Sequence, residues 1–212
     1  MKKKLTAMLL TLVMLFSAAA SVSAAGFTDV PEDAFYYDAV NWAVEEGITN
    51  GLTETAFGPG EKCNRAQVVT FLWRLDGKPA ATGENTFGDV ADGSWYADAV
   101  LWAVEQKVTD GMGVGIFQPD GTCSRAQIVT FLWKYAGKPA SDAENPFTDV
   151  PDVEWYAEAV KWAVEMGITT GISATEFGPA QPCNRAQIVT FLYRYAQMDA
   201  SDDDDPNMGE WA

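Results

Sequence analysis

One pattern returns three times at a fixed spacing, and it restricts this chain more than any other property. Phe27-Thr28-Asp29-Val30 recurs as Phe87-Gly88-Asp89-Val90 and again as Phe147-Thr148-Asp149-Val150, each time 60 residues on. Trp42-Ala43-Val44-Glu45 recurs at Trp102 and Trp162, Arg65-Ala66-Gln67 at Arg125 and Arg185, and Phe71-Leu72 at Phe131 and Phe191. No insertion or deletion separates these landmarks. A constant period with several landmarks per copy marks stacked or symmetric supersecondary units. A unit of this size hides only about 60% of the surface its unfolded chain exposes, so the three copies are expected to share one core.

Each copy reads as helix, irregular connector, helix, which makes the chain mainly α. The first helix is expected from about Phe35 to Glu46, with Tyr36, Ala39, Val40 and Ala43 on its buried face. Gly47 and Gly167 stand where a left-handed residue ends such a helix, whereas copy two has Lys107 there. The connector carries Gly51, Gly58 and Pro59 and their counterparts, and its short apolar pieces suggest a small strand. The second helix is signalled more clearly. Asn64, Ser124 and Asn184 are good N-caps, and Gln67, Gln127 and Gln187 follow three residues later as capping boxes. Val68, Phe71, Leu72 and Leu75 then form one apolar stripe. Gly77-Lys78-Pro79 and Gly137-Lys138-Pro139 stop the first two copies, while the third continues as Ala196-Gln197-Met198-Asp199. These signals divide the chain into repeats at 26–80, 81–140 and 141–199. The remainder, 200–212, contains the like-charge run Asp202-Asp203-Asp204-Asp205 and is expected to be disordered.

Residues 1–25 read as an export signal. Lys2, Lys3 and Lys4 form a basic start, Leu5 to Ala20 an apolar stretch, and small residues up to Ala24 and Ala25 a cleavage region. The expected product is secreted, with no membrane attachment after cleavage. Acids outnumber bases 30 to 14, a net charge of −16, which opposes nucleic acid as a partner. Histidine is absent, so every mechanism built on a histidine base is excluded. Cys63, Cys123 and Cys183 each precede an N-cap. Three thiols converging on a metal would lack a fourth ligand. Each is instead expected to pack against Val68, Ile128 or Ile188 as a hydrophobic staple, unpaired and poorly reactive. No metal and no cofactor is expected.

Arg65, Arg125 and Arg185 are the most informative polar residues. Each falls at the first position of its helix, where the macrodipole disfavours a cation by several tenths of a kcal/mol, roughly. Two readings stand level. In one, the arginine and free helix amides grip a carboxylate or phosphate. In the other, it forms an internal ion pair, with Asp29, Asp89 and Asp149 as partners. Further basic residues recur at Arg74, Lys134 and Arg194 and at Lys78 and Lys138, a pattern suited to local positive pockets. Phe35, Trp95 and Trp155, with Trp42, Trp102 and Trp162, are expected in the core or between repeats. Trp73 and Trp133 fall outside the apolar stripe and are the better groove candidates. The acids Asp38, Asp98, Glu158, Glu45, Glu105 and Glu165 look like solvated helix face, and no pair is singled out for a carboxylate-dependent hydrolase.

Taken together, the F-x-D-V opening, the W-Y-x-x-A-V-x-W-A-V helix, the G-I-T-x-G turn, F-x-P and the R-A-Q-x-V-T-F-L-x-R/K helix resemble S-layer homology domains. The resemblance covers nearly all of residues 27–198. It implies a pseudo-threefold helical assembly whose grooves bind a secondary cell-wall polysaccharide, often through a pyruvylated sugar. It further implies a non-catalytic module on the surface of a Gram-positive-type wall. The arginine of the family's T-R-A-E or T-R-A-Q signature contributes to ligand binding, a role that maps to Arg65, Arg125 and Arg185, and Gln67, Gln127 and Gln187 are taken with them as candidate ligand-binding residues. Here Asn64, Ser124 and Asn184 replace its threonine, and its last position is Gln throughout. Trp73 and Trp133 are assigned to sugar faces. The alternative is a structural surface-layer protein that associates with itself or with other surface proteins, its arginines held in internal ion pairs.

Overall fold

The computed structural model describes residues 26–202. The expected export signal and the chain from Asp203 onward lie outside the described residues. Six helices follow in order: α1 Tyr37–Glu45, α2 Arg65–Leu75, α3 Ala97–Glu105, α4 Arg125–Tyr135, α5 Ala157–Glu165 and α6 Arg185–Asp202. Helix α6 is the longest because Ala196-Gln197-Met198 offers neither the glycine nor the proline that ends α2 and α4. It therefore runs through the first three residues of the stretch expected to be disordered.

The capping boxes form in both directions where the sequence places them. The Asn64 side chain accepts from the Gln67 amide at 2.9 Å, and the Gln67 side chain accepts from the Asn64 amide at 3.0 Å. Ser124–Gln127 and Asn184–Gln187 repeat the exchange. The first helices start two residues later than expected. Tyr36, Tyr96 and Tyr156 take the N-cap positions without a side-chain cap, leaving Phe35, Trp95 and Trp155 before the helix. At the far end, Gly47 at φ 67° closes α1: its amide donates to Val44 O at 3.0 Å, and the Ile48 amide donates to Ala43 O at 2.8 Å. Lys107 makes the same turn at φ 58°, with Lys107 N–Val104 O at 2.9 Å and Val108 N–Ala103 O at 2.8 Å.

Which copy covers which face is the main architectural finding. The second helix of each copy packs on the first helix of the next: α2 on α3, α4 on α5, and α6 back on α1. The second helices also meet one another, α2 with α4 and α4 with α6, so they lie inside and the first helices outside. Val68, Leu72, Ile128, Leu132, Ile188 and Leu192 are accordingly at most 2% exposed, in one continuous core that also takes in Ala39, Val40 and Ala43 and their counterparts. The three copies thus share a core, as expected, and they do so as a closed ring.

The ring is fastened at its centre by backbone. Among the described residues the connector forms no strand; short extended segments before the second helices make isolated antiparallel bridges instead, Lys62 with Asn184, Asn64 with Thr122 and Ser124 with Pro182. Three hydrogen bonds run head to tail around the pseudo-threefold axis: Cys63 N to Cys183 O at 3.2 Å, Cys123 N to Cys63 O at 3.0 Å, and Cys183 N to Cys123 O at 3.1 Å. The cysteines are fully buried and unpaired. Burial pushes the Cys63 and Cys123 thiols up to about 12, and the Cys183 thiol rises for the same reason.

Candidate functional site

The start of each second helix was expected to offer free amides to an anion. The structure corrects this. The Arg65 amide donates to Gly121 O at 2.9 Å and the Ala66 amide to Pro119 O at 3.0 Å, both in the connector of the next copy. Arg125 and Ala126 reach Gln181 and Pro179, while Arg185 and Ala186 close the ring on Glu61 and Pro59. With the third amide taken by the N-cap side chain, the orphan donors of the first turn are spent on neighbouring backbone.

The arginine side chains follow their backbone into the next copy. Arg65 Nε donates to Phe117 O at 2.9 Å, Arg125 Nε to Phe177 O at 2.8 Å, and Arg185 Nε to Phe57 O at 2.9 Å. Each Nη2 faces a buried threonine hydroxyl, Thr109, Thr169 or Thr49, at 3.5, 3.5 and 3.1 Å. Each guanidinium lies 4.8 Å from the ring centre of that same phenylalanine, and a second ring, Phe131, Phe191 or Phe71, covers it from the neighbouring helix. The arginines are only 2%, 3% and 3% exposed, and burial lowers their proton affinity from the ordinary arginine value.

The direct ion pairs with Asp29, Asp89 and Asp149 that the alternative reading called for do not form. Among the described residues the single ion pair joins Lys161 to Glu158. Those aspartates instead clamp the connector: Asp29 accepts from the Phe57 and Gly58 amides at 2.8 Å, Asp89 from Phe117 and Gln118 at 2.9 and 2.7 Å, and Asp149 from Phe177 and Gly178 at 2.8 Å. Desolvation acts to raise the Asp89 carboxyl, but its backbone hydrogen bonds and the Arg65 charge outweigh it and hold the group below the usual carboxylate range. Carboxylate and guanidinium therefore grip the amide and carbonyl of one phenylalanine from opposite sides.

This arrangement leaves clefts where three copies meet. One, of about 470 Å³, is lined by Arg65 of copy one, Thr109 to Met112, Gln127, Thr130, Phe131, Trp133 and Lys134 of copy two, and Trp155 of copy three. The other, of about 420 Å³, repeats the design one copy on with Arg125, Thr169 to Ile172, Gln187, Thr190, Phe191, Arg194 and Phe35. We call them the second and third grooves after the copy that supplies most of each wall. Of the residues named from sequence, Arg65, Gln127 and Trp133 share the second groove, and Arg125 and Gln187 share the third. Arg185, Gln67 and Trp73 line neither. Trp73 and Trp133 use their indole N–H to tether the following linker, at 2.9 Å to Pro79 O and Pro139 O.

The aromatic expectation needs one correction. Trp102 and Trp162 are core residues, but Phe35, Trp95 and Trp155 are 72%, 60% and 61% exposed. Each stands edge-on to the tyrosine that follows it. They precede the first helix, so the helical spacing that suggested burial does not apply to them. The acids of the first helices are exposed, as expected. Asp110 and Thr130, which line the second groove, were not singled out from sequence; the change of residue at the x of the G-I-T-x-G turn, Asn50, Asp110 and Thr170, was the available signal.

Each groove sets a carbonyl-anchored arginine and a second basic side chain, Lys134 or Arg194, beside aromatic faces and hydroxyl groups, which makes it a polar, locally cationic cleft. Among the described residues no cluster of three or more Cys, Asp or Glu is placed to hold a metal ion.

Comparison with known proteins agrees with the repeat pattern. The family model described as S-layer homology domain matches residues 26–69, 86–129 and 146–189. The chain is 29% identical over 196 residues to an S-layer protein of Bacillus thuringiensis subsp. finitimus and 28% identical over 196 residues to S-layer protein sap of Bacillus anthracis, each alignment covering 90% of this chain and 24% of the relative. It is 30% identical over 178 residues to a cell surface protein of Thermoanaerobacter kivui, covering 81% of this chain and 22% of that protein. The chain thus spans about a quarter of the length of these curated relatives. With one match on each turn of the closed ring, the chain belongs to the S-layer homology domain family.

Proposed function

We propose that this chain is a non-catalytic module that holds an exported protein on the cell wall by binding an anionic secondary wall polysaccharide in the grooves between its repeats. The observation that carries this reading is the composition of the grooves. In a chain of net charge −16, each groove gathers two cationic side chains, Arg65 with Lys134 or Arg125 with Arg194. Such local positive clefts accept a compact acidic group, while the overall charge repels a long polyanion. The exposed rings of Phe35 and Trp155 at the rims supply stacking faces for sugars. Each buried arginine keeps its Nη1 without a protein partner among the described residues, yet not sealed from solvent, so a donor remains for the ligand. A pyruvyl ketal carboxylate is the substituent we assign, on a wall of the Gram-positive type; the similarity to S-layer and cell surface proteins supports the surface location.

The burial of the arginines favours a second reading, in which they serve only to lock the ring and the protein assembles with itself or with other surface proteins. Co-sedimentation with detergent-washed wall sacculi separates the two. The proposal expects the protein in the pellet with native sacculi and in the supernatant after mild acid has removed ketal-linked carboxylates. Equal recovery from both, or sedimentation without sacculi, contradicts it.

A further inference from the structure

The grooves are built on one plan, but their polar groups are not equally committed. In the third groove Arg194 Nη1 donates to Ile168 O at 3.0 Å, and the Thr190 hydroxyl donates to Ala186 O at 2.7 Å. Copy one behaves alike: Arg74 Nη1 donates to Ile48 O at 2.9 Å, and the Thr70 hydroxyl to Ala66 O at 2.7 Å. Copy two breaks the pattern at both positions. Lys134 replaces the arginine, and its ammonium makes no hydrogen bond or ion pair among the described residues. The Thr130 hydroxyl is buried, the residue being 5% exposed, and has no partner. A buried hydroxyl without a partner forfeits its solvation, so an orphan of this kind at a groove wall is rare and needs a reason.

Other residues of the second groove also differ. The Gln127 side chain accepts from Ser124 N through its Oε1, as in every copy, and its Nε2 faces only the Met112 sulfur, at 3.9 Å. Asp110 places an exposed carboxylate where copy three has Thr170, Trp155 stands where the third groove has Phe35, and Trp133 lines the second groove whereas its counterpart Tyr193 does not line the third. A cation, an unspent hydroxyl, a carboxylate and two indole faces converge on one cleft.

We infer that the second groove is the dominant ligand site of this chain, with Lys134 and the Thr130 hydroxyl as the residues that select an anionic sugar and Asp110 accepting from its neighbouring hydroxyls. This rests on the wall-binding function proposed above and deepens it. The shared ligand chemistry is a glycan residue carrying a carboxylate or a phosphate. The lysine and hydroxyl bind the acidic group as a charge-assisted pair, while the carboxylate orients the ring so that an indole can cover its apolar face. The third groove, whose cation is already tied to a carbonyl, contributes less.

The test is calorimetric titration of the purified protein with soluble polysaccharide released from detergent-washed sacculi by muramidase. Lys134→Met is expected to weaken binding about tenfold or more and Arg194→Met about threefold or less. Thr130→Val is expected to lose affinity while keeping or raising its Tm, because no internal hydrogen bond is removed; Thr190→Val, which removes one, should lower its Tm. Carboxyl-reduced polysaccharide and phosphatase-treated polysaccharide identify the acidic group, and loss of binding in either arm supports an anionic ligand. A larger loss from Arg194→Met than from Lys134→Met, or a Tm drop in Thr130→Val equal to that in Thr190→Val, overturns the assignment of the groove while leaving wall binding intact. Failure of the unmodified protein to bind the polysaccharide at all overturns both.

Discussion

Replacing Arg185 by methionine tests how the ring is locked, because this residue joins the last copy to the first. The change keeps the length and apolar stem of the side chain and deletes its charge. It removes the bond from Nε to Phe57 O at 2.9 Å, a charge-assisted contact of about 1.5–3 kcal/mol, and leaves that carbonyl without its donor. It also removes the 3.1 Å contact to the Thr49 hydroxyl and the stacking on Phe57 at 4.8 Å, the latter about 0.5–2 kcal/mol. Two terms oppose these. The guanidinium no longer has to be desolvated, and an unfavourable cation leaves the helix start, a gain of about 0.3–1 kcal/mol. The net expectation is a destabilisation of about 2–4 kcal/mol. For a chain of this size that is a fall in Tm of roughly 5–15 °C. Urea denaturation followed by circular dichroism at helical wavelengths measures it. A midpoint equal to or above the parent's refutes the structural role and restores the simpler view that the dipole term decides the sign.

Three smaller perturbations follow from the same geometry. Lys107→Gly relieves a left-handed conformation at φ 58° and should stabilise by about 0.5–1 kcal/mol, where a lower Tm would count against that backbone. Asn64→Ala deletes one capping box and should destabilise by about 1 kcal/mol in the same urea assay, an unchanged midpoint showing the cap to be idle. The buried thiols predict alkaline sensitivity: Cys63 is held near 12 against an ordinary thiol value of about 9, so above pH 9 the unfolded chain releases a proton that the folded chain keeps. Stability should then fall by about 1.4 kcal/mol per pH unit for each thiol until the folded value is reached, and Cys63→Ala should make that slope shallower; an unaltered slope would show that the thiol is not the titrating group.

Much of this fold was legible because each element is specified by residues close together. The capping boxes, the apolar stripe Val68-Phe71-Leu72 and the glycine stop at Gly47 depend on spacing within one helix or turn, and all form as written. Pairing between copies was not legible. Each copy carries the same apolar faces, so nothing in the pattern distinguishes a helix packing on its own partner from one packing on the next copy. The occupation of the helix-start amides by Gly121, Gln181 and Glu61 was hidden for the same reason. Arg65, Arg125 and Arg185 were correctly marked as unusual, but the strain at the helix start is compensated by carbonyl and aromatic contacts from another copy, with no aspartate in direct contact. Phe35, Trp95 and Trp155 were misread because a helical period was extended one residue past the true N-cap. Some differences between the grooves stand in the sequence, as at Asp110 and Lys134, but others emerge only from side-chain geometry: Thr70, Thr130 and Thr190 are identical in sequence, and only Thr130 lacks a partner.

The grooves can be tested as the binding site by observing the indole N–H resonances of the protein while wall polysaccharide is titrated in. Binding in the second groove moves the signals of Trp133 and Trp155, which line it, and leaves those of Trp102 and Trp162, which are 1% and 2% exposed in the core, where they were. Saturable binding that leaves Trp133 and Trp155 unmoved would place the polysaccharide elsewhere on the ring and contradict the groove as its site.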